Sequence, residues 1–173
     1  MDAPAFIALT VACAPQVDTT TALALVRVES DLNPWAIGVV GGALIRQPRS
    51  RSEALSTARA LRESGWNFSV GLSQINVRNL TRLGLTLEGA FEPCANLAAM
   101  QSVLTDCIDR ARAPPHAGGA EQIALRNALS CYYSGSFTVG YHQGYVRKVV
   151  SAAAGLAADA GRARHLAVAK EAS

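Results

Sequence analysis

The feature that most constrains this chain is an apolar segment, Ala22 to Val28, that ends in the carboxylic acid Glu29. A segment that is apolar around almost its whole circumference usually lies inside a folded protein. The side chain of Glu29 would therefore be carried into a dry environment. Loss of hydration disfavours the ionised form of an acid, so we predict that Glu29 holds its proton at a higher pH than an ordinary glutamate does.

The flanking residues predict where this buried helix begins and ends. Asp18 and the three threonines that follow it offer oxygen atoms that can cap the amino end, so the helix is predicted to run from Thr19 or Thr20 to Glu29. The Asn33-Pro34 pair ends it, because a residue before proline disfavours the helical region. Glu29 then lies in the last turn, where the negative end of the helix dipole also opposes a carboxylate.

Size and composition predict one folded domain. The chain has 173 residues, of which 50% are hydrophobic and 17% charged, enough for a sizeable core. The net charge of +3 is too weak to predict a nucleic-acid partner. No apolar run reaches the roughly 18 to 20 residues of a membrane span. The first residues lack the cationic start of a secretory signal, so no export signal is evident.

The pattern along the chain predicts a mainly helical fold (α+β) with a small hairpin or loop region and one cleft. Ala36 to Ile45 is predicted to be a hairpin or a glycine-bearing loop, and 67–72 a loop or short strand. Further helices are predicted at 52–64, 74–82, 96–111 and 121–133 and from 144 onward, with a loop at 114–119. We predict a domain over 1–154, followed by an alanine-rich tail, 155–173, that is a fraying helix or disordered.

The four cysteines, Cys13, Cys94, Cys107 and Cys131, allow three complete pairings. Their even number is compatible with disulfides in an oxidising compartment and equally with buried free thiols. None has the C-x-x-C spacing of a zinc site, and the three histidines are scattered. We therefore predict no metal site and no cofactor.

Three short segments carry side chains suited to chemistry. The first is Glu29-Ser30. The second, Gly71 to Asn76, contains a glycine that allows close backbone approach and the polar residues Ser73, Gln74 and Asn76, which can hydrogen-bond a sugar. The third contains Tyr132 and Tyr133, two phenols at the end of a predicted helix that can reach a neighbouring carboxyl group.

Taken in this order and spacing, the segments resemble the soluble lytic transglycosylases, relatives of goose-type lysozyme. Glu29-Ser30 matches the family's acid-serine motif, and Gly71-Leu72-Ser73-Gln74 its Gly-Leu-x-Gln motif. The segment around Tyr132 is a degenerate form of the third motif. The chain is most similar to the branch associated with type IV secretion and conjugation, over about Ala12 to Val150. Each motif alone is weakly specific, and their joint order makes the match specific.

The resemblance implies a lysozyme-like fold that acts on peptidoglycan. Glu29 would protonate the bond between N-acetylmuramic acid and N-acetylglucosamine. It would then act as base while the muramyl 6-hydroxyl closes onto C1, giving a 1,6-anhydro product. Most glycosidases use two carboxylates, but one suffices when the substrate supplies its own nucleophile.

The resemblance also implies roles for the residues around Glu29. Ser30 would orient the substrate or the acid, and Tyr132 would hold the Glu29 carboxyl group, with Tyr133 as the alternative. Gln74 and Asn76 would contact the sugar. The remaining predicted cleft residues are Gly71, which would let the strand pass close to the sugar, and its neighbours Leu72 and Ser73. Trp35 and Trp66 are open to two interpretations, sugar platforms or core residues.

With secretion as the context, we expect two disulfides, Cys13 with Cys131 and Cys94 with Cys107. The expected location is the periplasm, and the expected partners are glycan strands and components of a secretion or conjugation apparatus. Two alternatives remain: a muramidase that adds water across the same bond, and a wall-binding scaffold protein that has lost turnover.

Overall fold

The structure is a computed structural model that describes residues 1–113 and 121–171, with side chains described as far as residue 162. It contains a helical part and a small antiparallel sheet. The helices are α1 (Ala3–Cys13), α2 (Thr19–Ser30), α3 (Arg51–Glu63), α4 (Pro93–Arg112), α5 (Glu121–Ser134), α6 (Val139–His142) and α7 (Tyr145–Glu171), and the strands are β1 (Ile37–Val39), β2 (Phe68–Val70) and β3 (Ile75–Asn76).

Helix α2 lies in the core of the helical part. Asp18 caps it by accepting a hydrogen bond from the Thr21 amide, as predicted, and Ala22 to Val26 are all buried. These residues pack in one cluster with Phe6 of α1, Leu97 of α4 and Val149 of α7. Each large side chain buried in this way stabilises the fold by about 1.5–3 kcal/mol. The packing holds the end of α2, and with it Glu29, in a fixed position.

The sheet forms the second part, in the order β1-β2-β3 with both pairs antiparallel. Ile37 pairs with Val70, and Val70 in turn pairs with Ile75. Phe68 and Val70 form a second core cluster with Ala54 and Ala58 of α3. The predicted fold class, one mainly helical α+β domain of lysozyme-like type with a small β region, is confirmed.

Several local predictions were wrong. Of the two alternatives for Ala36 to Ile45, the hairpin is wrong, because β1 pairs with the distant strand β2, while a glycine-bearing loop does follow β1, with Gly41 at φ 73°. The helix predicted over 74–82 is replaced by β3 and a 3₁₀ turn, Val77–Asn79. Helices α1 and α6 were not predicted.

The loop predicted at 114–119 lies outside the described residues. Helix α7 continues to Glu171, and the division of the chain at 154 stays a prediction.

The two disulfides do not have the predicted pairing. Cys13 pairs with Cys94 and Cys107 with Cys131, with Cα–Cα distances of 5.3 and 5.8 Å. The predicted bridge between Cys94 and Cys107 is impossible because both lie on α4, where their separation along the helix is about 20 Å. The observed bridges instead tie α4 to α1 at one end and to α5 at the other. The other predicted bridge, Cys13 with Cys131, fails because each sulfur is already paired with α4.

Within the described ranges, no helix combines the length and the apolar composition that a bilayer crossing requires.

Candidate active site

Glu29 lies in the last turn of α2, where the helix meets the turn between β2 and β3. The hydroxyl of the next residue, Ser30, donates a 2.6 Å hydrogen bond to the Leu72 carbonyl and a 3.3 Å bond to the Val26 carbonyl. Asp31 follows in the left-handed region, with φ 51°, and ends the helix. Ser30 therefore fixes the helix end against the turn, and its predicted role in orienting the acid or the substrate stays a prediction.

Glu29 opens into a chamber of about 530 Å³, called here the Glu29 chamber, between the sheet and the ends of α5 and α6. Its wall is formed by Glu29, Gly38, Val39, Val40, Gly41, Ser69, Gln74, Ile75, Asn76, Asn79, Val103, Tyr132, Tyr133, Ser134, Val139 and Gln143. Glu29 is the only carboxylic acid among these described wall residues, and none of them is a lysine or arginine. The chamber therefore presents one acid among amides, phenols and apolar groups.

Two opposing effects set the acidity of Glu29. Burial raises its pKa and a hydrogen bond from Tyr145 partly offsets that rise, which leaves the pKa at about 7. That bond runs from the phenol hydroxyl to Oε1 over 2.5 Å. The predicted direction of the shift is thus found, with burial as its larger cause. A carboxyl group that is partly protonated at neutral pH can both donate and accept a proton.

Tyr145 was not predicted as a site residue. It begins α7 and is buried, and its ring stacks on that of Tyr133 with centroids 4.6 Å apart. Burial, followed by the nearby Glu29 carboxylate, raises the pKa of the Tyr145 hydroxyl well above its ordinary value. One sequence signal was present: a phenol at the start of an apolar helix needs a hydrogen-bond partner in the core.

Tyr132 was predicted to hold the Glu29 carboxyl group, and in the structure it does not. Its hydroxyl donates a 2.6 Å hydrogen bond to the Ser73 carbonyl. Burial and, second, the nearby Glu29 carboxylate raise its pKa well above the ordinary value. Tyr132 still forms part of the chamber wall. The alternative residue, Tyr133, also lines the chamber, but its hydroxyl bonds to Gln143 Oε1 at 2.8 Å.

Three residues predicted either to bind substrate or to support the cleft lie beneath it, in a supporting position. Gly71, Leu72 and Ser73 are buried, and none of them reaches the chamber wall. Ser73 donates its amide hydrogen to Asn96 Oδ1 at 2.8 Å, and Asn96 Nδ2 donates to the carbonyls of Val70 and Ala90. These contacts support the turn from below. Asn96 was not predicted as a site residue; its signal is a buried amide, which requires hydrogen-bond partners.

Gly71 packs tightly against Asn96 and the Ala90 carbonyl and has a positive φ. Its φ is +80°, and a Cβ atom there would lie 2.3 Å from Asn96 Nδ2 and 2.7 Å from the Ala90 carbonyl oxygen. The glycine is therefore needed for close approach to protein atoms. Gly71 does not line the chamber, so the predicted close approach of its backbone to a sugar is not found.

Gln74 and Asn76 lie in the chamber wall, as predicted for residues that contact a sugar. The Gln74 amide donates to the carbonyls of Ala36 and Gly71, at 3.1 and 2.9 Å. Asn76 Oδ1 accepts from the Arg78 amide at 3.0 Å. Both side chains are thus held in place, and their contact with substrate stays a prediction.

The two tryptophans have different surroundings. Trp35 packs partly against the core cluster around the sheet, whereas Trp66 is 50% exposed. Neither lines the Glu29 chamber. Across the described residues, no three His, Cys, Asp or Glu side chains come together as metal ligands would.

The chain is similar in sequence to known proteins. The family model for the Transglycosylase SLT domain matches residues 7–152. The chain is 49% identical over 155 residues to the "Type IV secretion system protein virB1" of Brucella abortus, covering 86% of this chain and 63% of that protein. It is 40% identical over 150 residues to "Protein virB1" of Rhizobium radiobacter, covering 83% and 59%.

A third relative, "Protein virB1" of Agrobacterium fabrum, is 38% identical over 143 residues, covering 82% of this chain and 56% of that protein. The chain thus spans about three fifths of the length of these relatives. No solved structure gives a significant match. The family match extends over most of the chain and includes Glu29, the turn at Gly71 and both tyrosines of α5, so the chain belongs to the SLT transglycosylase domain family.

Proposed function

We propose that this domain is a peptidoglycan lytic transglycosylase that cleaves the β-1,4 bond between N-acetylmuramic acid and N-acetylglucosamine. The observation that carries the proposal is the lone acid of the Glu29 chamber, with its pKa raised to about 7. The family match and the virB1 relatives support it.

The chemistry follows from having one acid. Protonated Glu29 gives its proton to the glycosidic oxygen, and the bond to C1 of the muramyl residue breaks. The resulting carboxylate, stabilised by the hydrogen bond from Tyr145, then takes the proton of the muramyl 6-hydroxyl as that oxygen bonds to C1. The product is a 1,6-anhydro sugar, and no water is consumed. A two-carboxylate mechanism would need a second acid in the chamber wall, and the described wall residues offer none.

The hydroxyls and amides of the wall suit a sugar substrate. Asn76, Asn79, Ser134 and Gln143 supply donors and acceptors without charge, while Val39 and Ile75 supply apolar surface. An uncharged wall also leaves the pKa of Glu29 high, because a nearby cation would lower it.

The experiment that tests the reaction is mass spectrometry of the muropeptides released from purified sacculi. Anhydro products are lighter by one water than hydrolysis products, so they separate a transglycosylase from a muramidase. We expect Glu29→Gln to lower the release rate by at least about 100-fold. Glu63→Gln, which changes an exposed glutamate on α3 outside the chamber, is the matched control and should retain full activity.

Other outcomes would change the assignment. Release of hydrated products would make the protein a hydrolytic muramidase. Binding to sacculi with no soluble product would make it a scaffold protein. A well-folded Glu29→Gln protein that retains most of its lytic activity would reject Glu29 as the acid.

We propose further that the domain works in the periplasm, where it opens the wall for a type IV secretion or conjugation apparatus. The relative from Brucella abortus is named as a type IV secretion system protein. The two disulfides suit an oxidising compartment. In a bacterium lacking the gene, the wild-type gene should restore transfer by the apparatus and the Glu29→Gln gene should not.

A further inference from the structure

A second chamber, of about 640 Å³, lies beside the Glu29 chamber, and we call it the arginine chamber. The two chambers have a common wall formed by Val40, Asn76, Asn79, Val103, Tyr132, Tyr133 and Ser134. Because the same residues line both chambers, the two are immediate neighbours, within reach of one long substrate. What lines the arginine chamber therefore bears on the same substrate.

The charge changes sharply between the two chambers. Arg78, Arg82 and Arg110 line the arginine chamber, together with one carboxylate, Asp106. The described wall of the Glu29 chamber contains no cation. Among the described residues, the Glu29 chamber thus has no charged wall residue besides Glu29, and the neighbouring chamber is cationic. This pair suits a substrate with a neutral part and an anionic part.

The three guanidinium groups are weakly engaged by the protein itself. Within the described chain, Arg78 forms no ion pair, and Arg82 approaches Asp106 only to 3.8 Å, with both side chains more than half exposed. Arg110 lies 5.4 Å from the centre of the Phe137 ring and donates to Cys131 Sγ and the Gly135 carbonyl, none of which is anionic.

Some arginines elsewhere on the surface are held by carboxylates at shorter distances. Arg51 and Arg59 each lie 2.7 Å from a glutamate oxygen, of Glu92 and Glu88 respectively. The arginines of the chamber thus retain most of their capacity to bind carboxylates, for which the planar guanidinium is well suited.

We propose that the arginine chamber binds the carboxylate groups of the peptide stems that peptidoglycan carries on its muramyl residues. The proposal rests on the proposed function, since it takes peptidoglycan as the polymer in the cleft. Its sugar backbone is uncharged, and its stems place several carboxylates beside each muramyl residue. A strand with its scissile bond at Glu29 presents the sugars to the neutral chamber and a neighbouring stem to the cationic one. The domain then selects peptide-bearing strands over bare ones.

The test measures binding separately from turnover. The full chain carrying Glu29→Gln is titrated with soluble glycan strands of three kinds: strands with intact stems, strands stripped of stems by an amidase, and strands whose stem carboxylates have been converted to amides. The amidated strands keep the shape of the stems and lose only their charge. We expect intact strands to bind roughly threefold to tenfold more tightly than amidated strands, because exposed charge pairs contribute modestly. The stripped strands expose a lactyl carboxylate on each muramyl residue, so they report the loss of the stem and not the loss of charge.

Matched variants assign the preference to the chamber. In the same background, Arg78→Gln with Arg82→Gln should lower the ratio of affinities for intact and amidated strands towards one. Removing two exposed cations outside both chambers, by Arg62→Gln with Lys148→Gln, should leave the ratio unchanged. Asp106→Asn removes the one acid of the chamber and should increase the ratio. Added salt should reduce the ratio for the unchanged chamber.

Each result has one consequence. Equal binding of intact and amidated strands, or a ratio that the Arg78 and Arg82 changes leave in place, overturns the proposal. A preference that follows the charges of the chamber supports it. Product release by the protein with Glu29 intact is measured on the same strands. If the protein with Glu29 intact releases no product but still prefers intact strands, the proposed reaction is rejected and the arginine chamber remains a stem-binding site.

Discussion

The hydroxyl group of Tyr145 lies 2.5 Å from Oε1 of Glu29, although the two residues are 116 positions apart in the chain. The contact joins the end of α2 to the start of α7, two helices that pack against each other in the core. Burial favours the protonated acid, and the phenol favours the carboxylate. Their balance leaves the pKa of Glu29 at about 7, where the residue can give up a proton and later take one back.

Tyr145→Phe should move the pH dependence of cleavage. Removing the phenol donor removes the effect that lowers the pKa of Glu29, so the fall of kcat/KM with rising pH should begin above its wild-type position near pH 7. At low pH the variant should cleave about tenfold or more slowly than the wild type, because the carboxylate formed in the reaction loses a charge-assisted hydrogen bond. Rates of strand cleavage measured across pH check both effects.

The control for this change is Tyr133→Phe. Its hydroxyl bonds to Gln143 and not to the acid, and phenylalanine keeps the ring that stacks on Tyr145. It should leave the alkaline limb in place. An alkaline limb that is identical in Tyr145→Phe and the wild type would show that the phenol does not tune Glu29.

Glu29→Gln should stabilise the fold at alkaline pH. The folded-state pKa of about 7 lies above the ordinary 4.5, so between these values the folded chain holds a proton that the unfolded chain has released. The free energy of unfolding therefore falls as pH rises through this window. The glutamine variant should match the wild type near pH 4 and exceed it at about pH 8 by up to about 3 kcal/mol.

Urea denaturation of both proteins at several pH values measures this difference. Glutamine retains an oxygen that can accept the hydrogen bond from Tyr145, so the comparison isolates the charge. A difference between the two proteins that does not change with pH would contradict a raised pKa for Glu29.

The parts of the fold that the sequence predicted are those specified by neighbouring residues. Helix α2 follows from its cap at Asp18 and its apolar run, and the placement of Glu29 in the last turn follows from the same segment. Helices α3, α4 and α5 were predicted from helical spacing to within a few residues. The desolvation of the acid was predictable because a mostly apolar helix is usually buried, although Glu29 itself is only partly buried, at the chamber wall.

The parts that were not predicted depend on tertiary contacts. Helix α1 is almost uniformly apolar, so it has no helical periodicity to recognise. The disulfide pairing depends on which ends of α1 and α5 meet α4. The partner of Glu29 was assigned to Tyr132 through a motif, whereas the packing of α7 on α2 brings Tyr145 to the acid. Neither the disulfide pairing nor the contact of Tyr145 with Glu29 can be derived from the spacing of residues along the chain.

Gly71→Ala should destabilise the protein far more than Gly84→Ala. Both glycines have positive φ, +80° and +64°, so both substitutions incur the cost of a left-handed alanine, about 1 kcal/mol. At Gly84 nothing lies within 4 Å of the added Cβ atom, while at Gly71 it meets Asn96 and the Ala90 carbonyl. We expect the Gly71 variant to lose a further 2 kcal/mol or so, as in other overpacked sites. Equal free energies of unfolding for the two variants would contradict the tight packing under the turn.

Peptide mapping of the non-reduced protein should find the two bridges Cys13–Cys94 and Cys107–Cys131. Trypsin alone leaves Cys94 and Cys107 on one peptide, so a second cleavage is needed, before Asp106 or after Met100. Mass spectrometry should then give one peptide pair joining α1 to the start of α4 and another joining α4 to α5. A peptide pair containing Cys13 and Cys131 would contradict the observed arrangement.

Tyr132→Phe should cost stability without moving the pH profile. The hydroxyl donates to the Ser73 carbonyl beneath the chamber, so its loss leaves a buried acceptor without this donor, at a cost of about 1–2 kcal/mol. Tyr141→Phe is the matched control, because the Tyr141 hydroxyl bonds to Asn127 at the surface and its loss should cost less than about 0.5 kcal/mol. Urea denaturation gives both values. A shift of the alkaline limb in Tyr132→Phe as large as that in Tyr145→Phe would instead assign the tuning of Glu29 to Tyr132.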